Sequence, residues 1–390
     1  MANVMDYIRK YGDTSFCDVP FGEADNVALC GMYYMPFDKV VSDSFDDEPV
    51  DYKTASDEIF ELRGRKHEPV GLVLLKNISE QMVEMSKYKR FQEMKVVAAV
   101  RVYEKAPAVQ FEAATFLLPD GKTVVLFKGT DDTLTGWKED FDILTKKGIP
   151  SNKLSIDYLE AAAKKFDGNI IVCGHSKGGF IAQYAALYSS KEVRDRIEVV
   201  YNNDGPGFWD YSYLESDVYA EMLPKYRHFV PQSSFIGMML AHDNDYEIIK
   251  SNQILGPLQH DLNSWLFNGR SLERADELTD MGKMNDGVLR DLVGGLDDES
   301  EKVLDKVLDK VLGGINQNGL LDVKNNFGSA LKGGVEAWRS LDRDTQRKFI
   351  KIFADTPEIL VKNGARVQRE HTEKTYNKIV SALKYLNVLL

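Results

Sequence analysis

Cysteine, positive charge and long apolar runs are all scarce in this chain of 390 residues. Three cysteines with no Cys-x-x-Cys pair can form neither a disulfide framework nor a zinc site, so we expect free thiols as in a reducing cytoplasm. With 49 basic against 61 acidic residues, the net charge of −12 disfavours binding to nucleic acid or to an anionic membrane. The apolar run FIGMMLA at 235–241 is far shorter than the roughly 20 residues of a transmembrane helix, and the N-terminus lacks the apolar core of a secretion signal. These absences predict a cytoplasmic protein without a membrane span or bound nucleic acid.

Apolar residues, at 43% of the chain, suffice for a sizeable core. The predicted strands are short runs rich in β-branched and aromatic residues, at 94–103, 109–118, 122–128, 169–173, 197–201, 227–231 and 246–250. Pro119-Asp120-Gly121 predicts a hairpin turn, whereas helical patterns at 155–166 and 179–189 separate the later strands. Strands that alternate with helices are typical of a parallel sheet covered on both faces. The sequence therefore predicts an α/β fold.

Three parts of the chain differ in composition. Residues 1–65 are rich in aromatic, methionine and acidic residues and are predicted to be an arm that packs on the core, while 66–270 carry the α/β pattern. In 271–390, Val-Leu pairs recur every four residues between 303 and 312, which predicts an apolar stripe along one helix. We expect this helical C-terminal segment to pack within the protein; self-association or binding of a partner is the alternative.

The most informative motif is Gly174-His175-Ser176-Lys177-Gly178-Gly179, which follows a predicted strand and precedes a predicted helix. A serine on such a tight turn projects its hydroxyl above the sheet, and small residues on either side let strand and helix approach closely. We therefore predict that Ser176 is a nucleophile. His175, beside it, is expected to have a structural role.

A serine nucleophile needs a histidine base, and His228, His242 and His260 follow Ser176 before the C-terminal segment. His228 lies in a predicted strand and His242 in an acidic loop. His260 lies in the loop that follows the last predicted strand, where α/β-hydrolases place their base, and is the preferred candidate.

Three aspartates are candidates for the acid that orients the base. Asp204 follows a strand and is flanked by glycine, whereas Asp243 and Asp245 lie in a polar loop closer in sequence to His260. A strand end fixes a side chain better than a polar loop does, so Asp204 is preferred and the other two remain open. The Asp243-Asn244-Asp245 stretch lacks the pattern of a calcium loop, and neither a metal nor another cofactor is expected.

An oxyanion hole needs two hydrogen-bond donors. The backbone N–H of Lys177, directly after the nucleophile, is one candidate. The loop Phe127-Lys128-Gly129-Thr130 supplies the other, because Gly129 permits a tight departure from the strand and Thr130 adds a hydroxyl. An ordinary turn role for Thr130 is the alternative.

These motifs, with Gly136-Trp137-Lys138-Glu139-Asp140 and His260-Asp261, resemble the class 3 (fungal-type) lipase branch of the α/β-hydrolases over about 90–268. Within that branch the chain is most similar to bacterial relatives of unknown function. The resemblance implies an α/β-hydrolase fold with Thr130 as an oxyanion donor, Ser176 as the nucleophile and His260 as the base.

Two positions depart from the pattern of that branch. The stretch 230–234 lacks the usual acid, which favours Asp204, and Lys177 occupies a position that is commonly apolar. Its side chain is expected either to favour anionic substrates or to point to solvent.

Aromatic residues are concentrated at 208–226. We expect Phe208, Trp209 and Tyr211 to form a lid or the wall of an acyl-binding pocket; packing of this connection onto the sheet is the alternative.

The sequence as a whole predicts a serine esterase or lipase that acts on lipid-like or acyl esters. A thioesterase or peptidase that uses the same triad is one alternative, because the acyl-enzyme chemistry is shared. A non-catalytic scaffold on a hydrolase core is the other.

Overall fold

A computed structural model describes residues 2–63, 77–131, 133–145, 148–208, 212–240, 246–315, 327–352, 354 and 356–389. Their main feature is an eight-stranded sheet whose spatial order follows the chain order. The strands are β1 (Val50–Asp51), β2 (Lys95–Lys105), β3 (Ala108–Leu117), β4 (Thr123–Phe127), β5 (Ile170–His175), β6 (Ile197–Asn203), β7 (Tyr226–Pro231) and β8 (Glu247–Ile249). Strands β1 to β4 pair antiparallel and β4 to β8 pair parallel. The chain thus has the predicted α/β-hydrolase fold, with a mostly parallel sheet and additional C-terminal helices.

The helices before the C-terminal segment are α1 (Val4–Tyr11), α2 (Glu23–Met32), α3 (Tyr52–Leu62), α4 (Ile78–Met85), α5 (Lys89–Gln92), α6 (Leu134–Thr145), α7 (Pro150–Lys165), α8 (Lys177–Tyr188), α9 (Lys191–Arg196), α10 (Asp217–Met222) and α11 (Gly256–Gln259). Helix α7 begins before the predicted 155, because Pro150 at its first turn already has a helical φ. A short antiparallel pair, β9 (Phe267–Asn268) and β10 (Ser271–Leu272), follows α11.

Alternating side chains of the sheet face two hydrophobic clusters. Val124 and Leu126 of β4 face a cluster that includes α1 to α4, whereas Val125 and Phe127 face the cluster built with α7 and α8. Burial on both faces explains why the central strands are continuously apolar.

A buried ion pair anchors the N-terminal helices. The Arg90 guanidinium binds both carboxylate oxygens of Asp25, at 2.7 and 2.6 Å, and donates to the carbonyls of Thr14, Val19 and Pro20. Arg90 is fully buried. Such a bidentate pair fixes the orientation of α2 beneath the sheet.

The C-terminal segment forms five helices among its described residues: α12 (Asp280–Gly294), α13 (Asp298–Ile315), α14 (Phe327–Arg339), α15 (Arg343–Ile352) and α16 (Thr356–Leu389). Val303 and Val307 of the predicted stripe are buried with Leu341. Lys138 on α6 forms ion pairs with Asp305 and Asp309, so α13 lies against the α/β region. In the part of the chain that is described, every helix is too short or too polar to cross a bilayer. The boundaries near 65 and 270, and a partner contact through these helices, stay predictions.

Candidate active site

Ser176 occupies a sharp turn between β5 and α8. Its backbone has φ 59° and ψ −130°, a conformation that a non-glycine residue rarely adopts. A Cβ atom on Gly174 would lie 2.1 Å from the carbonyl oxygen of Gly178, so only glycine permits this approach of strand and helix. The Ser176 N–H donates to the carbonyl of Asn203 at the end of β6, at 3.0 Å. The neighbouring strand thus holds the strained turn in place.

Asp204 and His260 form a buried hydrogen-bonded pair. His260 Nδ1 donates to Asp204 Oδ2 at 2.6 Å, and both side chains are almost fully buried. The other carboxylate oxygen of Asp204 accepts from Ser234 Oγ at 2.5 Å and from the Gly237 N–H at 3.2 Å. Because the carboxylate can only accept, it fixes the proton of His260 on Nδ1.

The loop that carries His260 is held by its own side chains. The Gln259 side chain accepts from the Ser233 N–H at 2.8 Å and donates to the Gln253 carbonyl at 2.8 Å. The indole N–H of Trp265, which is fully buried, donates to the Gln259 carbonyl at 2.9 Å. His260 Nε2 is buried and has no hydrogen-bond partner among the residues described, which leaves its lone pair available to a hydroxyl.

His175 packs directly against His260. The two ring centroids lie 4.4 Å apart, and His175 Nε2 lies 2.9 Å from the His260 carbonyl oxygen. Since a carbonyl only accepts, Nε2 carries the proton and Nδ1 accepts from the hydroxyl of Tyr34 at 2.9 Å. Burial and the neighbouring His260 lower the pKa of His175 well below its usual range. A neutral His175 therefore supports His260 without repelling an imidazolium formed there.

The loop after β4 runs alongside the serine turn. A Cβ atom on Gly129 would lie 2.1 Å from the Tyr34 hydroxyl and 2.5 Å from the His175 carbonyl oxygen, so the loop touches the turn directly. Thr130 Oγ1 donates to Asp140 Oδ1 of α6 at 2.6 Å. This bond fixes the position of Thr130 next to the turn. It also engages the hydroxyl proton that the sequence analysis offers to an oxyanion, so only the backbone N–H of Thr130 is left for that role.

The side chain of Lys177 contradicts both sequence expectations. It neither points to solvent nor presents a charge to a substrate, because the residue is only 2% exposed and its ammonium lies 2.9 Å from Glu139 Oε2. Its backbone N–H lies in the first turn of α8, where no intrahelical acceptor exists. The oxyanion role predicted for this N–H does not involve the side chain.

The aromatic segment is only partly described. Phe208 is 3% exposed and packs edge-on against Phe180 and Tyr213, at 5.5 and 4.4 Å between ring centroids. Phe208 therefore packs on the core, as in the alternative to a lid or acyl-pocket wall given in the sequence analysis. Trp209 and Tyr211 lie outside the described residues, as do the alternative acids Asp243 and Asp245.

Four further residues around the site were not singled out from the sequence: Tyr34, Glu139, Asp140 and Ser234. Only Glu139 and Asp140 had a sequence signal, since both belong to a motif shared with the lipase branch. Tyr34 lies 141 positions from its partner His175, a separation over which the residue pattern carries no information.

Asp140 provides a test of the electrostatics of this region. Burial raises the pKa of its carboxyl from 3.8 to about 6, although Lys177 and the Thr130 hydroxyl oppose the shift. The folded protein thus holds this proton more tightly than the unfolded chain does. The contribution of protonated Asp140 to the free energy of unfolding is complete below about pH 4 and is lost as the pH rises through 6.

We expect Asp140→Asn to raise the free energy of unfolding at pH 8 by up to about 3 kcal/mol, and by much less at pH 4.5. Urea unfolding at the two pH values measures the difference. Asp195→Asn is the control, because Lys191 lowers the pKa of this exposed carboxyl and no gain is expected. An equal gain for Asp140→Asn at both pH values would contradict the expectation.

Comparisons with known proteins give one family and several solved structures. The M37 lipase is 13% identical, with a TM-score of 0.36 over 56% of this chain and 70% of its own. The native propeptide complex of Rhizomucor miehei lipase is 14% identical, with a TM-score of 0.29 over 51% of this chain and 66% of the lipase chain. A mutant form of MDLA from Penicillium cyclopium is 11% identical, with a TM-score of 0.35 over 64% and 84%.

No curated protein sequence matches the chain. The family model that describes Mbeg1-like proteins matches residues 85–309, which include β2 to β8, the serine turn and His260. This match spans more than half of the chain, and it shows that the chain belongs to the Mbeg1-like family, a lipase-like family.

Proposed function

We propose that this protein is a serine hydrolase that cleaves carboxylic esters, lipid-like or acyl, through an acyl-enzyme on Ser176. One observation carries the proposal: Asp204 fixes His260 at 2.6 Å and leaves Nε2 buried without a partner in the described structure, while His175, next to Ser176, packs on the His260 ring. The membership of a lipase-like family supports the same chemistry.

In the first half-reaction, Ser176 Oγ attacks the acyl carbon as His260 Nε2 accepts the hydroxyl proton. Asp204 stabilises the resulting imidazolium through the bond to Nδ1. When the tetrahedral intermediate collapses, the bond to the alcohol oxygen breaks and His260 returns the proton to the leaving alcohol. The product is an acyl-enzyme on Ser176.

In the second half-reaction, water attacks the acyl-enzyme and gives its proton to His260, and the acid leaves as Ser176 regains a proton. The backbone N–H groups of Lys177 and Thr130 are the proposed donors to the oxyanion in both halves, because the Thr130 hydroxyl donates its one proton to Asp140. Their positions, at the start of α8 and in the loop beside the serine turn, favour this role. This second half-reaction, in which water accepts the acyl group, distinguishes a hydrolase from an acyl transferase.

Exposed apolar side chains close in sequence to His260 favour an apolar acyl group. Ile254, Leu255 and Leu258 are 88%, 62% and 40% exposed, in the residues that lead directly to His260. Phe235 is 37% exposed and follows Ser234, which binds Asp204. Exposed apolar side chains concentrated on the two loops that hold the Asp204–His260 pair suit contact with a hydrocarbon chain.

We expect the wild type to hydrolyse p-nitrophenyl esters. In the double variant Ile254→Ser/Leu255→Ser, kcat/KM is expected to fall about tenfold for p-nitrophenyl esters of long acyl chains and less than twofold for p-nitrophenyl acetate. The loss arises because the long chain no longer buries apolar surface against the loop. Leu62→Ser is the matched control, since Leu62 on α3 is as exposed as Leu255. Equal losses on both chain lengths would contradict an acyl-contact role for the loop.

Acyl thioesters and peptide anilides are measured alongside the esters. Turnover of thioesters alone would identify the thioesterase alternative, and turnover of anilides alone the peptidase. A chain that hydrolyses none of them and whose Ser176 is unreactive would be a scaffold on a hydrolase core.

A further inference from the structure

We infer that the buried Lys177–Glu139 ion pair is a positioning device for the oxyanion hole. The inference rests on the proposed hydrolase function and adds two side chains that touch no reacting atom. Lys177 would act through its side chain, apart from the backbone N–H that donates to the oxyanion. Glu139 would act through Lys177.

All three donors of the Lys177 ammonium have an acceptor. Lys177 Nζ lies 2.8 Å from the Gln110 carbonyl oxygen, 2.6 Å from Gln110 Oε1 and 2.9 Å from Glu139 Oε2. The side chains of Lys177 and Glu139 are 1% and 0% exposed. If the buried ammonium left this position, it would lose all three hydrogen-bond acceptors at once. The ion pair and its neighbours therefore fix the tip of the Lys177 side chain.

Glu139 is itself fixed by groups from other elements. Its Oε2 also accepts from the Gln110 N–H at 3.0 Å, and its Oε1 accepts from Ser151 Oγ at 2.5 Å. One carboxylate thereby joins β3, α6, the start of α7 and the start of α8. The first turn of α8, which presents the Lys177 N–H, is held against the edge of the sheet at this point.

The next residue on α6 holds the other proposed donor. Asp140 accepts a hydrogen bond from Thr130 Oγ1 at 2.6 Å, and the preceding residue, Glu139, accepts one from Lys177. Two consecutive carboxylates on one helix therefore set the positions of both proposed oxyanion donors. Any shift of α6 would move the two donors together.

Stability alone explains such a pair poorly. Replacing a buried ion pair by uncharged residues of similar volume is often neutral or stabilising, because removing the charges also removes their desolvation penalty. What an ion pair provides beyond apolar packing is a defined direction and distance. That property matters most at a site where a displacement of about 1 Å costs up to about 100-fold in rate.

The test is the double variant Lys177→Met/Glu139→Gln, which removes both charges and keeps the side-chain volumes. With a soluble p-nitrophenyl ester we expect kcat to fall about 10- to 100-fold, KM to stay within twofold and the melting temperature to stay close to the wild-type value. The split between kcat and KM separates positioning in the transition state from a general structural role. If the double variant does not fold, Glu139→Gln alone keeps an acceptor at the site and is expected to lose about tenfold in kcat.

The control is Arg90→Met/Asp25→Asn, an equally buried pair whose side-chain hydrogen bonds, among the residues described, run to Tyr7, Thr14, Val19, Pro20 and Gly22 and not to the loop after β4. We expect the folded protein of this variant to keep the wild-type kcat, whatever the change in its melting temperature. A folded Lys177→Met/Glu139→Gln variant, or Glu139→Gln in its place, with wild-type kcat would overturn the inference and leave the proposed function intact. A wild type that neither hydrolyses esters nor reacts at Ser176 would overturn the proposed function, and the inference with it.

Discussion

Ser176→Ala is expected to lower kcat for ester hydrolysis by a factor of about 10⁴ to 10⁶, to the residual rate that the oxyanion hole and binding alone provide. Alanine keeps the Cβ atom, so the strained turn at φ 59° is retained and only the nucleophilic oxygen is lost. The melting temperature should therefore remain near that of the wild type. Initial rates with a p-nitrophenyl ester, measured beside a thermal melt, test both expectations.

Ser190→Ala is the control for this substitution. Ser190 caps α9 on the exposed side of the molecule, where its hydroxyl accepts from the Val193 N–H. Removing it should cost a little stability and no activity. If Ser176→Ala kept more than about a hundredth of the wild-type kcat, Ser176 would not be the nucleophile.

Asp204→Asn is expected to lower kcat about 10³- to 10⁴-fold, with KM little changed. The amide cannot hold the His260 proton on Nδ1 as the carboxylate does, and it cannot stabilise the imidazolium that forms during the reaction. Asparagine keeps one oxygen as an acceptor for Ser234 Oγ, whose bond to Asp204 is 2.5 Å, so the fold should survive. Steady-state kinetics of the purified variant measure both parameters.

Asp195→Asn, an exposed change on α9, controls for the loss of one negative charge. Wild-type kcat in Asp204→Asn would remove Asp204 from the triad. The acid would then have to be Asp243 or Asp245, and the matching asparagine variants at those positions would identify it. A joint loss of kcat and melting temperature would instead assign Asp204 a structural role.

The parts of the site that the sequence predicted are encoded locally. The serine turn was predictable because Gly174 and Gly178 permit a close approach that side chains would block, and because the residue period changes from strand to helix across Ser176. Asp204 is the preferred acid because it follows a predicted strand and because 230–234 lacks the usual acid of the lipase branch; β6 ends at Asn203, directly before it. Local rules of this kind predict at which edge of the sheet a residue lies.

The parts that were missed depend on tertiary contacts. Glu139 binds Lys177 although the two residues are 38 positions apart in the sequence. Nothing in the sequence around Lys177 indicates that its charge is buried. The sequence predicts that the lysine side chain either favours anionic substrates or points to solvent, since lysine is usually exposed. The Glu139 carboxylate and the Gln110 acceptors instead hold it in the interior. Phe208 packs on Phe180 of α8, which agrees with the packing alternative of the sequence analysis; the sequence does not show which helix it contacts.

The most direct test of the proposed function is the intact mass of the wild type after treatment with an active-site-directed fluorophosphonate, followed by peptide mapping of the adduct. One adduct on Ser176 is expected in the wild type, with none in Ser176→Ala or His260→Ala and slower labelling in Asp204→Asn. An unlabelled wild type that also hydrolyses no ester, or an adduct that persists in Ser176→Ala, would contradict a serine hydrolase acting through Ser176.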